Sequence, residues 1–230
     1  MDIGKALSYV TEDERWVTKI GIGAVMAFFA WLIVPMFFLS GYMVGITKNV
    51  MAEEERPLPE WEDWGTLFMD GLYIFIAGLI YTLPFWLLSC CVFFTTIGTG
   101  GLAELSEEAA GAALLTTYGL FCCVMLLLIV ALMFLGPAIV IQYARHGELS
   151  ACFQFSQMMD LIRENIGDII LTVAVSFGVS IVISLVMVIP IVGWLIGLAG
   201  QVYLYAVLGH LYGQIGARMG GVPKEEKFAI

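Results

Sequence analysis

Charge is what this sequence has least of. Only 13% of its 230 residues are Asp, Glu, Lys or Arg, about half the share found in an average soluble domain. A soluble fold of this size could not bury the apolar remainder, because 60% of the residues are hydrophobic and mean hydropathy is +0.93. Disorder is excluded for the same reason, since disordered segments are polar and poor in aromatics. Histidine is scarcer still, with two residues, and neither His-x-x-x-His nor Cys-x-x-Cys spacing occurs, so the usual zinc motifs are missing. There is no Gly-x-Ser-x-Gly elbow and no phosphate-binding loop. Ten basic residues against 20 acidic ones, a net charge of −10, argue against nucleic acid as a partner, which needs basic patches. No catalytic residue, cofactor-binding residue or metal ligand is predicted. What remains is the composition of an integral membrane protein.

The few charges are segregated. Ile20–Thr47, Gly71–Ala103, Ala109–Ala144 and Ile169–Ala217 contain none, so 146 residues are free of charge and all 30 charges lie in the other 84. A spanning helix needs about 20 apolar residues. The second and third stretches predict one span each, over 71–99 and 109–142. The fourth is too long for one span. Pro190, which lacks a backbone donor and clashes with the preceding turn, divides it into a hairpin of spans, 169–189 and 191–217.

The first stretch, 20–47, allows two readings. It is one tilted span, or Pro35 breaks it into two halves too short to cross, a re-entrant pair. Lys and Arg favour the second. If the stretch returns to its own side, all ten basic residues fall on one face; if it crosses, they split evenly. The expected fold class is therefore all-α: a polytopic membrane helix bundle in one domain, with four full spans, an N-terminal re-entrant (or single tilted) Pro-broken helix, and interfacial amphipathic helices. Both termini are expected in the cytoplasm of a plasma-membrane protein. No cleavable signal peptide is expected, because the first apolar run is longer than a signal core and lacks a cleavage site.

Three polar segments read as interfacial helices. Residues 1–19 carry a capping box, Thr11 to Glu14, expected to start a new helix. Residues 58–70 place Pro59 at a first helical position, with Glu60, Glu62 and Asp63 in the first turn and Trp61, Trp64, Phe68 and Leu72 on one face. Residues 150–168 start at an N-cap Ser150 and present Phe155, Met158, Met159, Ile162 and Ile166 opposite a polar face. The tail, 218–230, is polar.

Within the spans, glycines recur three or four apart: Gly41 and Gly45; Gly193, Gly197 and Gly200; Gly209, Gly213, Gly216 and Gly220. Such rows let helices approach closely, within this chain or across an oligomer interface. Val34-Pro35 and Ile189-Pro190, each followed by glycines, form a weak internal echo. His210 shares a helix face with Tyr203, Val207, Gln214 and Arg218, and is expected to be neutral and hydrogen bonded near the cytoplasmic end. Cys90-Cys91, Cys122-Cys123 and Cys152 read as buried, reduced packing residues.

The run Leu58-Pro59-Glu60-Trp61-Glu62-Asp63-Trp64-Gly65, with Leu67-Phe68 and Asp70-Gly71-Leu72, resembles the signature of a prokaryotic multi-pass membrane family catalogued as a domain of unknown function. Ser40-Gly41-Tyr42 resembles its Gly-Tyr element. Gly136-Pro137-Ala138 and Tyr143-Ala144-Arg145-His146-Gly147-Glu148-Leu149, followed by Cys152-Phe153-Gln154-Phe155, resemble its second patch. Cys152 departs from it, standing where the family often has a small residue. The resemblance covers nearly the whole chain and implies a membrane location and a helical fold, with no activity attached.

The sequence therefore predicts a non-enzymatic scaffold or accessory subunit that docks partners at its cytoplasmic face; a channel or carrier for a small or lipid-like solute is the alternative. The predicted partners are the lipid bilayer and, through the glycine-lined helices, a second copy or another membrane protein. The candidate interaction residues are Glu60, Trp61 and Trp64 at the surface and His210 and Gln214 at the end of the bundle.

Overall fold

A computed structural model describes residues 1–103 and 106–220; the predicted tail lysines Lys224 and Lys227, and Glu104 of the predicted external loop, lie outside them. The regular secondary structure of the described residues is all helical, with no strand. The helices are α1 (Ile3–Glu12), α2 (Trp16–Phe28), α3 (Val34–Met51), α4 (Trp64–Tyr81), α5 (Leu83–Ala103), α6 (Glu107–His146), α7 (Phe155–Glu164), α8 (Ile166–Met187) and α9 (Val192–Arg218). Short 3₁₀ turns lie at Ala30–Leu32 and Leu149–Phe153. Four helices, α4, α6, α8 and α9, are long and apolar enough to cross a membrane. This is the build of a helical membrane protein.

The chain forms two compact units. The first comprises Met1–Ala77 and the described residues from Gly136 onward; the second is Gly78–Leu135.

The first unit is organised around α9, against which α1, α2, α3 and α8 all pack. The apolar stretch 20–47 is not one helix. It runs down α2, turns through Ala30–Leu32 and Ile33, and returns as α3 with Pro35 in its first turn. Proline fits there, because its missing N–H would be unpaired in any case. The α3 segment from Val34 to Lys48 covers about 21 Å, short of the about 30 Å of a hydrocarbon core.

The second hairpin, α8–α9, turns where Pro190 places it. The Val192 N–H donates to the Pro190 carbonyl over 2.7 Å, and Ile191 adopts φ 63°. Ile33 takes nearly the same backbone conformation, φ 68° and ψ −51°. The structural counterpart of Ile191-Val192 is thus Ile33-Val34. The echo drawn between Val34-Pro35 and Ile189-Pro190 is out of register: Pro35 opens a helix, whereas Pro190 lies in a turn. Both turns are uncharged and expose large apolar side chains, with Trp31 at 74% and Ile191 at 79%.

Several glycines of this unit lie close against a neighbouring helix. A Cβ at Gly41 would lie 1.8 Å from the Leu67 carbonyl oxygen, and one at Gly71 would lie 1.7 Å from that of Phe37, so α3 and α4 touch backbone to backbone. Gly209 faces the Met43 carbonyl and Gly213 faces Val50, both across the α3–α9 contact. Gly193 and Gly197 face Val186 and Met187 of the α8 end.

Several local expectations are corrected. No helix runs from 58 to 70: residues 58–63 are turn and extended chain, and α4 starts at Trp64. Asp63 caps it in place of Pro59, its carboxylate accepting from the Thr66 N–H (3.1 Å) and hydroxyl (2.6 Å). Thr11 caps nothing. It lies inside α1 and its hydroxyl donates to the Ser8 carbonyl, while the Arg15 N–H is taken by Asp13. Ser150 falls in a 3₁₀ turn, and the amphipathic helix of this region is only Phe155–Glu164. It buries Met158, Leu161 and Ile162 but leaves Phe155 exposed, and Ile166, also exposed, already belongs to α8.

In the second unit, the predicted span 71–99 is interrupted between Tyr81 and Leu83. Pro84 has no N–H to offer the preceding turn, and the Thr82 hydroxyl donates to the Gly78 carbonyl at the break. Pro137, by contrast, is accommodated within α6. Cys90, Cys91, Cys122 and Cys123, on α5 and α6, are free and exposed; they are not buried packing residues. A cavity of about 300 Å³ beside the break is lined almost entirely by apolar side chains, Phe85, Trp86 and Leu128 among them.

Candidate functional site

The polar residues of the first unit gather at one end, where the starts and ends of its helices meet. The Asp2 N–H donates to Gln214 Oε1 (2.6 Å), tying the start of α1 to the end of α9. Arg218 pairs with Asp168, and Arg145 donates to the Met219 carbonyl, which ties in α8 and α6. Lys48 Nζ lies 2.7 Å from Asp70 Oδ2, and the Tyr143 hydroxyl donates to Asp70 Oδ1 (2.6 Å), which joins α3, α4 and α6. Lys48 Nζ also stands 5.3 Å from the centre of the Tyr143 ring.

The signature loop is part of this end. Lys19, at the start of α2, is 3% exposed, and its ammonium donates to Asp13 Oδ2 (2.7 Å) and the Leu58 carbonyl (2.9 Å) and lies 3.0 Å from Glu60. Glu60 also pairs with Arg15 at 2.6 Å. A buried ammonium needs such partners, because taking it out of water unpaired costs several kcal/mol. Burial pushes the Asp13 carboxyl up. The Lys19 hydrogen bond, the Arg15 N–H and the charges of Lys19 and Arg56 outweigh it and hold the group below its ordinary value.

Trp61 follows Glu60 into the core. It stacks on Tyr42 with ring centres 4.5 Å apart and planes 2° apart, and its indole N–H donates to the Lys19 carbonyl (2.9 Å). Pro59 fits against Gly45. Leu58-Pro59-Glu60-Trp61 is therefore an internal clamp that fastens the connection after α3 onto α2. Of the predicted surface residues, Trp61 is buried, Glu60 is engaged in ion pairs, and Trp64 remains exposed, packed edge-on against Phe38.

His210 and Gln214 are brought together, as their four-residue spacing implies, and α1 covers them. Gln214 Nε2 donates to the Asp2 carbonyl (2.9 Å) and lies 3.0 Å from His210 Nδ1. The Asp2 N–H can only donate, so Gln214 Oε1 must face it and Nε2 must face the ring. Nδ1 is then the acceptor and a neutral His210 carries its proton on Nε2. The Tyr9 ring packs tilted against the imidazole, centres 4.4 Å apart and planes at 35°, and its hydroxyl donates to the Ala206 carbonyl (2.9 Å).

Above His210 opens a cavity of about 380 Å³ between α1, the Glu53–Leu58 connection and the last turns of α9. Six carboxylates line it (Asp2, Glu12, Asp13, Glu53, Glu54 and Glu55) against the two cations Lys5 and Arg56. Asp13 is neutralised by Lys19, and Arg56 is engaged with Glu14. Glu53, Glu54 and Glu55 have no ion pair among the described residues. No three His, Cys, Asp or Glu side chains among the described residues converge closely enough to hold a metal ion. Cys152 is buried, and burial pushes its thiol up to about 11, so it stays protonated and unreactive.

Asp13, Lys19, Lys48, Asp70, Tyr42 and Tyr143 were not among the candidate interaction residues. The signals were that the four charged ones flank the apolar stretches and that Tyr42, Asp70 and Tyr143 lie in the motif patches; their pairing joins residues up to 73 apart in the chain.

No curated protein and no solved structure matches the chain. Residues 25–192 match the family described as "Protein of unknown function (DUF4013)", a region that holds both motif patches and the clamp. The chain belongs to the DUF4013 family.

Proposed function

We propose that this protein is a non-enzymatic membrane scaffold or accessory subunit that docks a partner protein at its cytoplasmic face. The observation that carries the reading is the acidic recess. It is a preformed cavity at the polar end, framed by the clamp and by the α1–α9 latch, with three unneutralised carboxylates at its mouth. Lys5, Arg15, Lys19, Lys48, Arg56, Arg145 and Arg218 all belong to the same end, which supports a cytoplasmic placement in the plasma membrane. The α2–α3 hairpin then enters the bilayer and returns, and α8–α9 provides the deeper hairpin.

The glycine rows support docking at the polar face over a glycine-lined oligomer contact. Gly41, Gly71, Gly193, Gly197, Gly209 and Gly213 already face neighbours within this unit. Native mass measurement in mild detergent tests the reading. The expected species is the chain plus a co-purifying protein that dissociates when Glu53, Glu54 and Glu55 are changed to Gln. A lone monomer that retains the folded helical signal would contradict it.

A further inference from the structure

We infer that the recess recognises a basic peptide segment, with an Arg or Lys side chain held among Glu53–Glu55 and a backbone carbonyl accepting a hydrogen bond from His210 Nε2–H. The inference rests on the docking reading and names its chemistry.

The acids alone would say little, since exposed carboxylates are ordinarily solvated. His210 supplies the independent observation. It is 3% exposed and lines the cavity. Its Nδ1 is committed to Gln214, and Nε2–H has no acceptor among the described residues. That nitrogen is not fully enclosed, and His210 is among the residues that line the recess. The cavity thus presents one fixed neutral donor at its floor and an excess of negative charge at its mouth.

That combination selects among cations. A bare divalent ion would gain nothing from Nε2–H and finds no converging ligand set. A polyamine offers positive charge but no acceptor for the floor. A peptide offers both, a guanidinium or ammonium for the carboxylates and a carbonyl for the imidazole. At about 380 Å³ the cavity falls at the small end of ligand pockets, enough for one long side chain and its peptide unit.

The test uses the full chain in nanodiscs of phosphatidylcholine and a dye-labelled, end-blocked Gly-Arg-Arg-Gly peptide, followed by fluorescence anisotropy. Glu53→Gln/Glu54→Gln/Glu55→Gln is expected to raise Kd about tenfold at moderate salt. The same loss of charge outside the recess, Glu62→Gln/Asp160→Asn/Glu164→Gln, should change it less than about twofold. His210→Asn keeps an acceptor for Gln214 but lacks the distal N–H, and should raise Kd several-fold. His210→Gln, which restores an N–H near the Nε2 position, should recover most of the binding. The citrulline counterpart of the peptide, with the carbonyls but without the charge, should not bind.

Equal losses from the two triple variants, unchanged binding by His210→Asn, or binding of the citrulline peptide would each overturn the inference. The loop variants are at exposed positions, so the acidic arm stands even if a His210 variant fails to fold. Peptide binding with no co-purifying protein would sink the docking reading alone; a co-purifying protein with no peptide binding would sink the inference alone.

Discussion

Gly71→Ala is expected to destabilise the protein by about 3–5 kcal/mol, among the largest effects a single methyl group can have. The added carbon would fall 1.7 Å from the Phe37 carbonyl oxygen and 2.9 Å from the Gly41 nitrogen. Both are backbone atoms, so no side chain can swing aside, and α3 and α4 must separate. Separation would also loosen the Lys48–Asp70–Tyr143 cluster, which bridges α3, α4 and α6 just beside this contact. Gly78→Ala in the same helix is the control. Nothing lies within 4 Å of its added carbon, so the better helix propensity of alanine should stabilise by about 0.5–1 kcal/mol. Thermal unfolding followed by circular dichroism in detergent reads both. Gly71→Ala should lower Tm by on the order of 10 °C and Gly78→Ala should raise it slightly. Equal Tm values would mean that the close approach of α3 and α4 does not occur.

Trp61→Ala is expected to cost about 3–5 kcal/mol, because it empties a large buried site. It removes the ring stacked on Tyr42 and the donor to the Lys19 carbonyl, beside the buried Lys19–Asp13–Glu60 ion cluster. Trp61→Phe separates the two contributions. It keeps an aromatic face for Tyr42 and loses the indole N–H, so about 1–2 kcal/mol of loss is expected. The same unfolding measurement checks this. A headgroup-facing Trp61 would instead leave stability nearly unchanged in both variants and shift its emission with lipid composition.

These two sites show where sequence reasoning succeeds and where it stops. The helical membrane class and the hairpin at Pro190 follow from the uncharged runs and from proline, which are local properties. The division of 20–47 was legible at Pro35 as one of two readings, and the basic residues favoured it. Pro84 carried the same signal inside 71–99, but its long apolar run reads as a single span, so the break at Thr82 was missed.

The clamp was unreadable for a different reason. Trp61 and Glu60 have the composition of an interfacial helix, and Pro59 suits a helix start. Their placement depends on Lys19, about 40 residues earlier, whose buried charge requires the Leu58 carbonyl and Glu60. Asp63, with Thr66 three residues on, then offers the better helix cap. His210 and Gln214 were legible as a pair because four residues make one helical turn. That α1 returns to cover them, through Asp2 and 212 residues of chain, was not.

The gathering of the charged connections of the first unit at one polar face is tested most directly by labelling. In a background with the five cysteines replaced, Glu14→Cys, Glu55→Cys and Glu148→Cys each place one thiol on an exposed stretch between helices. A membrane-impermeant maleimide should reach all three from the cytoplasmic side of oriented vesicles and none from the other side. Labelling of Glu14→Cys and Glu55→Cys from opposite sides would mean that residues 20–47 cross the bilayer, and would contradict the single polar face on which the recess, the clamp and the proposed docking depend.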